Sequence, residues 1–465
     1  MNKSDFYREV RGVMTRFDPV SEADLAENTM DGLTLSELHD VLAEFGLEVR
    51  FIVRDPSRKN FGTCYADYER GLYCSLLLSR QFLLGPGRHV LKAMVESGEE
   101  IRRVLEEKNW LTYYSKYVPM SMHIYDFQRR YMDIQPDEVF SVWFRLHKNI
   151  DVSSNMWPLD VLKYVFDHAP PAVLPERDAE GLITIYRGMG EFSLPPEQAI
   201  SWSTHPGNAL WFAIHSGRGV KMATARIRPE QVVAYYPKFY NENEVIVRPG
   251  SVLDYRYEDM IPATQEDVPP LLAPVLPAYI RYGRQTQKLG YKVENPFGIH
   301  GILHILRVLL LSLIYYYNSG DTLSERDLQI LIYFSLLHDI GRTNDDLDND
   351  HGEKSAAYIR KKGIRLQGIR LSKKEYRIAE LLIVHHCHND EVGEAAILSE
   401  PGLSRREKEH AVHLYRICKD MDGLDRVRFN GLDYRMLRTE YGRKLPLVAG
   451  CLLEEDLLQA LEFDL

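Results

Sequence analysis

Imidazole and carboxylate side chains recur through the last third of this 465-residue chain: His304, the doublet His338-Asp339, His351, the pair His385-His386, and Asp422. Each lies in or beside a stretch that reads as helix. Divalent transition metals take these two ligand types together, with geometry and supply choosing among Mn, Fe, Co, Ni and Zn. A bound ion brings the pKa of a coordinated water toward neutrality and polarises a phosphoryl oxygen, and a pair of ions can steady both attacking and leaving oxygens. Ionisable groups in apolar helices are seldom buried without a partner or a metal. The chemistry expected is metal-dependent hydrolysis.

The helices that must carry these groups are legible as well. GIHGILHILRV sets His300 and His304 four residues apart on one helix face. FSLLHDIGR ends an apolar helix with the doublet, whose members are rotated by roughly 100° yet can converge at a helix end. DNDHGEKSA starts a helix at His351, with Asp350 as its cap. LLIVHHCHND leaves open whether His385 or His386 is the nearer ligand, and His300 and His388 are additional histidines. Arg342, three residues past the doublet, is a fork donor suited to a phosphate oxygen.

In order and in local context, residues 295–445 resemble the HD superfamily of metal-dependent phosphohydrolases. The matching phrases are HxxRV at His304, HDIGR, DxxHG at His351 and KDxDxLDRVR at Asp422. The resemblance implies that His304, His338, Asp339 and Asp422 hold one ion. It also implies that His351, His385 and His386 hold a second, bridged through a catalytic Asp339. The substrate class implied is a nucleotide-type phosphoester, with the individual compound left open because ligand residues do not encode pocket walls.

A second set of chemical residues lies upstream, in Ile185-Tyr186-Arg187-Gly188, in Ile200-Ser201-Trp202-Ser203-Thr204, and in Asn241-Glu242-Asn243-Glu244-Val245-Ile246-Val247. Residues two apart on a strand share a face, so Glu242 and Glu244 present two carboxylates side by side. Such a pair raises its own pKa values and calls for a counter-ion or a task. These segments, with SWSTHPGNALWFA and VVAYYPKFYNENEVIV around them, resemble the arginine-serine-glutamate pattern of NAD-dependent ADP-ribosyltransferases over residues 110–260. By that resemblance NAD is the co-substrate, anchored by Arg187 and supported by Ser201 and Ser203, with Tyr186 and Trp202 as nicotinamide walls. Glu244 would stabilise the oxocarbenium-like transition state, where positive charge develops beside it. Glu242 would orient or deprotonate the acceptor, a protein side chain, a nucleic acid or a small molecule.

The expected fold is multidomain. Residues 1–105 form a small α/β accessory module, 106–265 an α+β ADP-ribosyltransferase-like domain, 266–290 a linker, and 291–465 an all-α HD helical bundle. Length supports several domains. Hydrophobic residues at 45% and charged residues at 27% are ordinary globular values. A formal charge of -10 argues against holding nucleic acid by bulk electrostatics. Five cysteines without a CxxC indicate neither a disulfide framework nor a zinc knuckle. MNKSDFYREV has no apolar signal core, and the run Leu309–Tyr317 is too short for a bilayer. A cytoplasmic, non-membrane protein is expected, with export by a signal-less route left open. The function expected is bifunctional, phosphohydrolase plus transferase; the alternative is a phosphohydrolase gated by an inactive NAD- or nucleotide-sensing domain.

Overall fold

The computed structural model describes residues 17–21, 23, 31–54, 63–149, 157–190, 193–215, 219–237, 242–264, 266–292, 298–346, 348–429 and 431–453. The N-terminal decapeptide, the Pro56-Ser57 turn signal and Asn241 lie outside them. The chain is a multidomain α+β protein with two antiparallel sheets and a helical region.

The first sheet joins β1 (Asp18–Pro19), β2 (Ile52–Arg54), β3 (Thr63–Asp67) and β4 (Leu72–Leu76) in sequence order. Among the described residues seven α-helices follow between Arg80 and Asp167, including Trp110–Lys116, His123–Arg130, Val139–Asn149 and Leu159–Asp167. Sheet and helices share one apolar core running from Leu33 to Phe166, with Tyr113, Phe127 and Trp143 fully buried in it. Ile200, Val233, Ala234 and Ile246 of the next sheet enter the same core, so helix Val139–Asn149 lies against that sheet.

The second sheet is built from β5 (Ile183–Gly190), β6 (Ser201–Ser203), β7 (Gly219–Ile227), β8 (Val232–Tyr236), β9 (Glu244–Val247) and β10 (Tyr255–Tyr257). Its strand order is β10-β7-β5-β6-β9-β8. β5 and β9, the carriers of Arg187 and Glu244, therefore flank β6, the carrier of Ser201. Helix Pro206–His215 crosses β5 so closely that a Cβ on Gly188 would sit 1.9 Å from the Ala209 carbonyl oxygen. Only glycine permits that approach.

The described residues from Val268 onward form helices joined by turns and loops. The proline-rich stretch expected as linker contains two short helices, Val268–Leu272 and Leu276–Gly283, with proline in the first turn of each. Proline there costs no hydrogen bond and presets φ for a helix. Val275 and Tyr279 are buried against the long helix Ile302–Asn318 and its neighbours. Helices Glu325–Leu337, Lys373–His385 and Arg405–Leu424 each begin at a serine capping box, Ser324/Asp327, Ser372/Glu375 and Ser404/Glu407. These boxes fix where the helices start, and their lengths then decide where the histidines and aspartates at their ends arrive. Among the described residues no helix is long and apolar enough to cross a membrane.

Candidate metal centre and a second acidic site

Three helix ends and two helix beginnings converge on one point. His338 and His386 cap the C-termini of Glu325–Leu337 and Lys373–His385, and Asp422 lies in the last turn of Arg405–Leu424. His304 lies in the first turn of Ile302–Asn318, and His351 is the first residue of His351–Lys362. Helix C-termini carry partial negative charge, which favours a cation near them.

Asp339 is the hub. Its Oδ2 lies 3.7 Å from His304 Nε2 and 4.0 Å from His338 Nε2, while its Oδ1 lies 3.4 Å from His351 Nε2 and 3.5 Å from His386 Nε2. Asp422 Oδ1 completes the first group, 3.4 Å from His304 Nε2 and 3.8 Å from His338 Nε2. The two Nε2 atoms of His304 and His338 face each other across 3.1 Å, and those of His351 and His386 across 2.8 Å. Two ligand clusters thus share one carboxylate.

The rings are held by their other nitrogens. His304 Nδ1 is 2.7 Å from Asp425 Oδ2, His338 Nδ1 is 3.1 Å from the Ser335 carbonyl, and His386 Nδ1 is 2.7 Å from the Ile383 carbonyl. His351 Nδ1 meets the Asp348 carbonyl. Where Nδ1–H donates to such an acceptor in a neutral ring, Nε2 carries the lone pair that a metal takes. Burial lowers the His338 pKa to about 4, so its ring is neutral. Burial opposes charge on His304 too, but Asp422 and Asp425 outweigh it and raise that pKa to about 9. Burial would raise the Asp339 pKa, yet the surrounding imidazoles hold it well below the usual carboxylate range.

The donor set fits a transition metal. Asp339 Oδ1 is buried with no hydrogen-bond partner, although two imidazole nitrogens lie within 3.5 Å of it. A buried carboxylate oxygen is rarely left so unless something else satisfies it. His304, His338 and Asp422 lie close enough together to hold an ion, as do His338, Asp339 and His386, and Asp339 Oδ1 also faces the His351 and His386 pair.

Comparison with protein-family models, curated proteins and solved structures finds no match.

His385 does not join the cluster. Its Nδ1 lies 3.1 Å from His388 Nδ1, because neighbouring helix residues point about 100° apart and His386 takes the inward position. His300 does approach, with Nδ1 3.2 Å from Asp339 Oδ2, and Cys387 lies within ligand reach of His351 and His386. Arg342 is committed elsewhere: Nε and Nη2 donate to the carbonyls of Asn344 and Asp346, and Nη1 lies 2.9 Å from His351 Nδ1. It positions the loop before His351. Asp425, which no ligand pattern singled out, accepts from Arg307 and Arg428 and orients His304. Its place three residues after Asp422, one helical turn on, was the available signal. A cavity of about 710 Å³ opens over the cluster, within the range of small-ligand sites. Arg426 is exposed at it, with no ion pair among the described residues.

The upstream residues form a different site. Ser201 Oγ donates to Glu244 Oε1 at 2.6 Å, and Arg187 Nη1 donates to the Ser201 carbonyl at 2.5 Å. Glu242 and Glu244 meet at Lys148, whose Nζ is 3.1 Å from Glu244 Oε2 and also donates to Glu242. His147 Nε2 is 3.6 Å from Glu244 Oε1. The counter-ion that paired carboxylates require thus comes from helix Val139–Asn149. Asn243 between them has φ +51°, a left-handed conformation that Asn tolerates better than most residues.

Two expected nicotinamide walls are not brought to this site. Trp202 is buried in the core of the sheet with Nε1 donating to the Ala199 carbonyl. Tyr186 accepts from Arg435 at 2.6 Å and packs toward the helical region. Residues adjacent on a strand point to opposite faces, which separates Trp202 from Ser201 and Tyr186 from Arg187. Ser203 holds the turn, donating to the Glu242 carbonyl and accepting from His205 N–H.

Glu244 yields a pH prediction. Burial favours its neutral acid, but His147, Lys148 and Ser201 outweigh burial and bring its pKa from 4.5 to about 2. A depressed carboxylate stabilises the fold fully above its unfolded value and loses that contribution as pH falls through its folded value. Urea unfolding of Glu244→Gln should therefore lag wild type by about 3 kcal/mol at neutral pH. The gap should close between pH 4.5 and about 2. A gap independent of pH would mean that the carboxylate charge is not what stabilises.

Proposed function

We propose that the C-terminal helical unit is a metal-dependent phosphohydrolase of the HD type, acting on a nucleotide-type phosphoester. The observation that carries this reading is the buried Asp339 carboxylate, one oxygen facing His304 and His338 and the other facing His351 and His386. His304, His338, Asp339 and Asp422 would hold one ion, and His351 and His386 a second through Asp339. When bound, the metal supplies an acidified water and a Lewis acid for a phosphoryl oxygen. The chain's own residues do the rest. Asp425 and the Ser335 and Ile383 carbonyls hold the imidazoles through Nδ1 so that Nε2 faces the shared carboxylate, and Arg426 at the cavity can meet a phosphate by a planar fork.

For the sheet unit we propose an ADP-ribosyltransferase-like site of Arg187, Ser201, Glu242 and Glu244, with NAD as co-substrate. A second reading, a sensor that gates the hydrolase without transferring ADP-ribose, is favoured by one observation. Lys148 and His147 cover both glutamates, leaving Glu244 only 6% exposed.

Elemental analysis of the purified protein, followed by a nucleotide panel that includes NAD and ADP-ribose, tests both. The bifunctional reading expects bound transition metal, chelator-sensitive phosphohydrolysis, and NAD consumption that Glu244→Gln abolishes. Hydrolysis intact with no NAD consumption selects the sensor. Protein that binds no transition metal and hydrolyses nothing removes the phosphohydrolase.

A further inference from the structure

A groove of about 1020 Å³ lies behind the metal-site helices, bounded by His351–Lys362 and Lys373–His385. Its floor is apolar, formed by the buried side chains of Ala356, Ile359, Ile383 and Leu403. Tyr333 and Tyr376 form an aromatic wall, their rings 5.6 Å apart and edge to face.

Its rim is basic, in a chain whose formal charge is -10. The lining holds Arg360, Arg365, Lys373, Lys374 and Arg377 against two carboxylates, Glu380 and Glu400. Those carboxylates are engaged: Glu380 accepts from Arg360 and Arg377, and Glu400 from Arg377 at 2.7 Å. Lys374 reaches out of the groove to Glu407 at 2.8 Å. Arg365 and Lys373 have no carboxylate partner among the described residues, and Arg365 lies over the Tyr376 ring at 4.7 Å. Exposed cations beside an aromatic ring and an apolar floor are complementary to a molecule that is polyanionic at one end and flat and apolar at the other.

We infer that this groove binds a nucleoside polyphosphate, at a site separate from the metal cavity. Its phosphates would meet Arg365 and Lys373, and its base the Tyr376 side of the floor. The groove is also coupled to the metal-site helices. Ile383 contributes its side chain to the floor while its carbonyl accepts from His386 Nδ1–H at 2.7 Å. The two helices touch backbone to backbone at Gly352, where a Cβ would lie 2.4 Å from the Ile383 carbonyl oxygen. A ligand pressing on the floor therefore bears on the carbonyl that orients His386.

The test is fluorescence anisotropy of methylanthraniloyl-ATP and methylanthraniloyl-GTP on the full-length protein, beside Arg365→Glu/Lys373→Glu and Asp339→Ala. Both groove residues are exposed, so the double variant should keep the wild-type melting temperature; Lys373→Glu alone replaces it otherwise. The groove is supported if at least one nucleotide binds, the double variant weakens that binding tenfold or more, and Asp339→Ala leaves it unchanged. Inorganic triphosphate should compete at least tenfold less well than the parent nucleotide. No binding of either probe up to millimolar concentration overturns the inference, as does wild-type affinity in the double variant. Loss of all binding in Asp339→Ala assigns the nucleotide to the metal cavity instead, and equal competition by triphosphate reduces the groove to a plain polyanion patch. Titrations are made with excess chelator, so that the probes are not turned over at the metal cavity and the outcome is separable from whether that cavity hydrolyses anything.

Discussion

Asp339→Ala should strip the protein of metal and lower phosphohydrolysis by about three orders of magnitude, roughly 4 kcal/mol of transition-state stabilisation. The size follows from position. Among the described residues Asp339 is the one carboxylate within 4 Å of both histidine pairs, so its loss removes a donor from each cluster at once. Asp422→Ala subtracts from one cluster only and should leave the His351 and His386 pair able to hold metal. The check is metal content by elemental analysis, together with initial rates on whichever nucleotide the panel identifies. Metal content and rate both within threefold of wild type in Asp339→Ala would sink the shared-carboxylate picture.

Asp425→Ala should produce the largest loss of stability. The carboxylate is 1% exposed and accepts from His304, Arg307 and Arg428, so its removal leaves two guanidinium groups and an imidazole facing one another. Breaking one side of a buried charge cluster costs about 3–5 kcal/mol, because the remaining charges lose their partner. Metal affinity should fall as well, by about 10- to 100-fold, since His304 loses the group that orients it. Urea unfolding measures the first effect and competition with a chelator the second. Asp425→Asn, which keeps the volume and removes the charge, separates packing from electrostatics. Unfolding within 1 kcal/mol of wild type for both variants would show that the arginines find other partners.

What the sequence disclosed was largely what is local. The helices of the last third are announced by Ser-x-x-Glu or Ser-x-x-Asp starts and apolar 3.6-residue spacing, and those two facts carry His338, His386 and Asp422 to their meeting place. The choice between His385 and His386 was not legible, because it turns on the helix phase at its final residue. Five strands of the second sheet were readable as the short segments LITIYRG, AISWST, KMATARI, VVAYY and NEVIVRPGS, whereas β10 and the partners across the strands were not. Lys148 lies 96 residues before Glu244, and no pattern in VFSVWFRLHKN marks its two last polar residues as a lid over carboxylates. Trp202 and Tyr186 were placed at the transferase-like site because they neighbour Ser201 and Arg187 in sequence. On a strand that adjacency guarantees separation. The helical stretch between Arg80 and Asp167 was partly hidden by short segments whose amphipathic faces are only two or three turns long.

The seam between sheet and helical region has one more consequence. Ala209, Leu210, Ala213 and Ile214 of helix Pro206–His215 belong to the same apolar core as the long helices, and a Cβ on Gly450 would sit 2.4 Å from Ile214 Cγ1. Ile261 N–H donates to the Lys444 carbonyl across the same boundary. Neither half could be liberated by clipping the connecting stretch without baring a greasy face. The two candidate sites are bolted to one chassis, and any message between them must travel as small shifts through that joint.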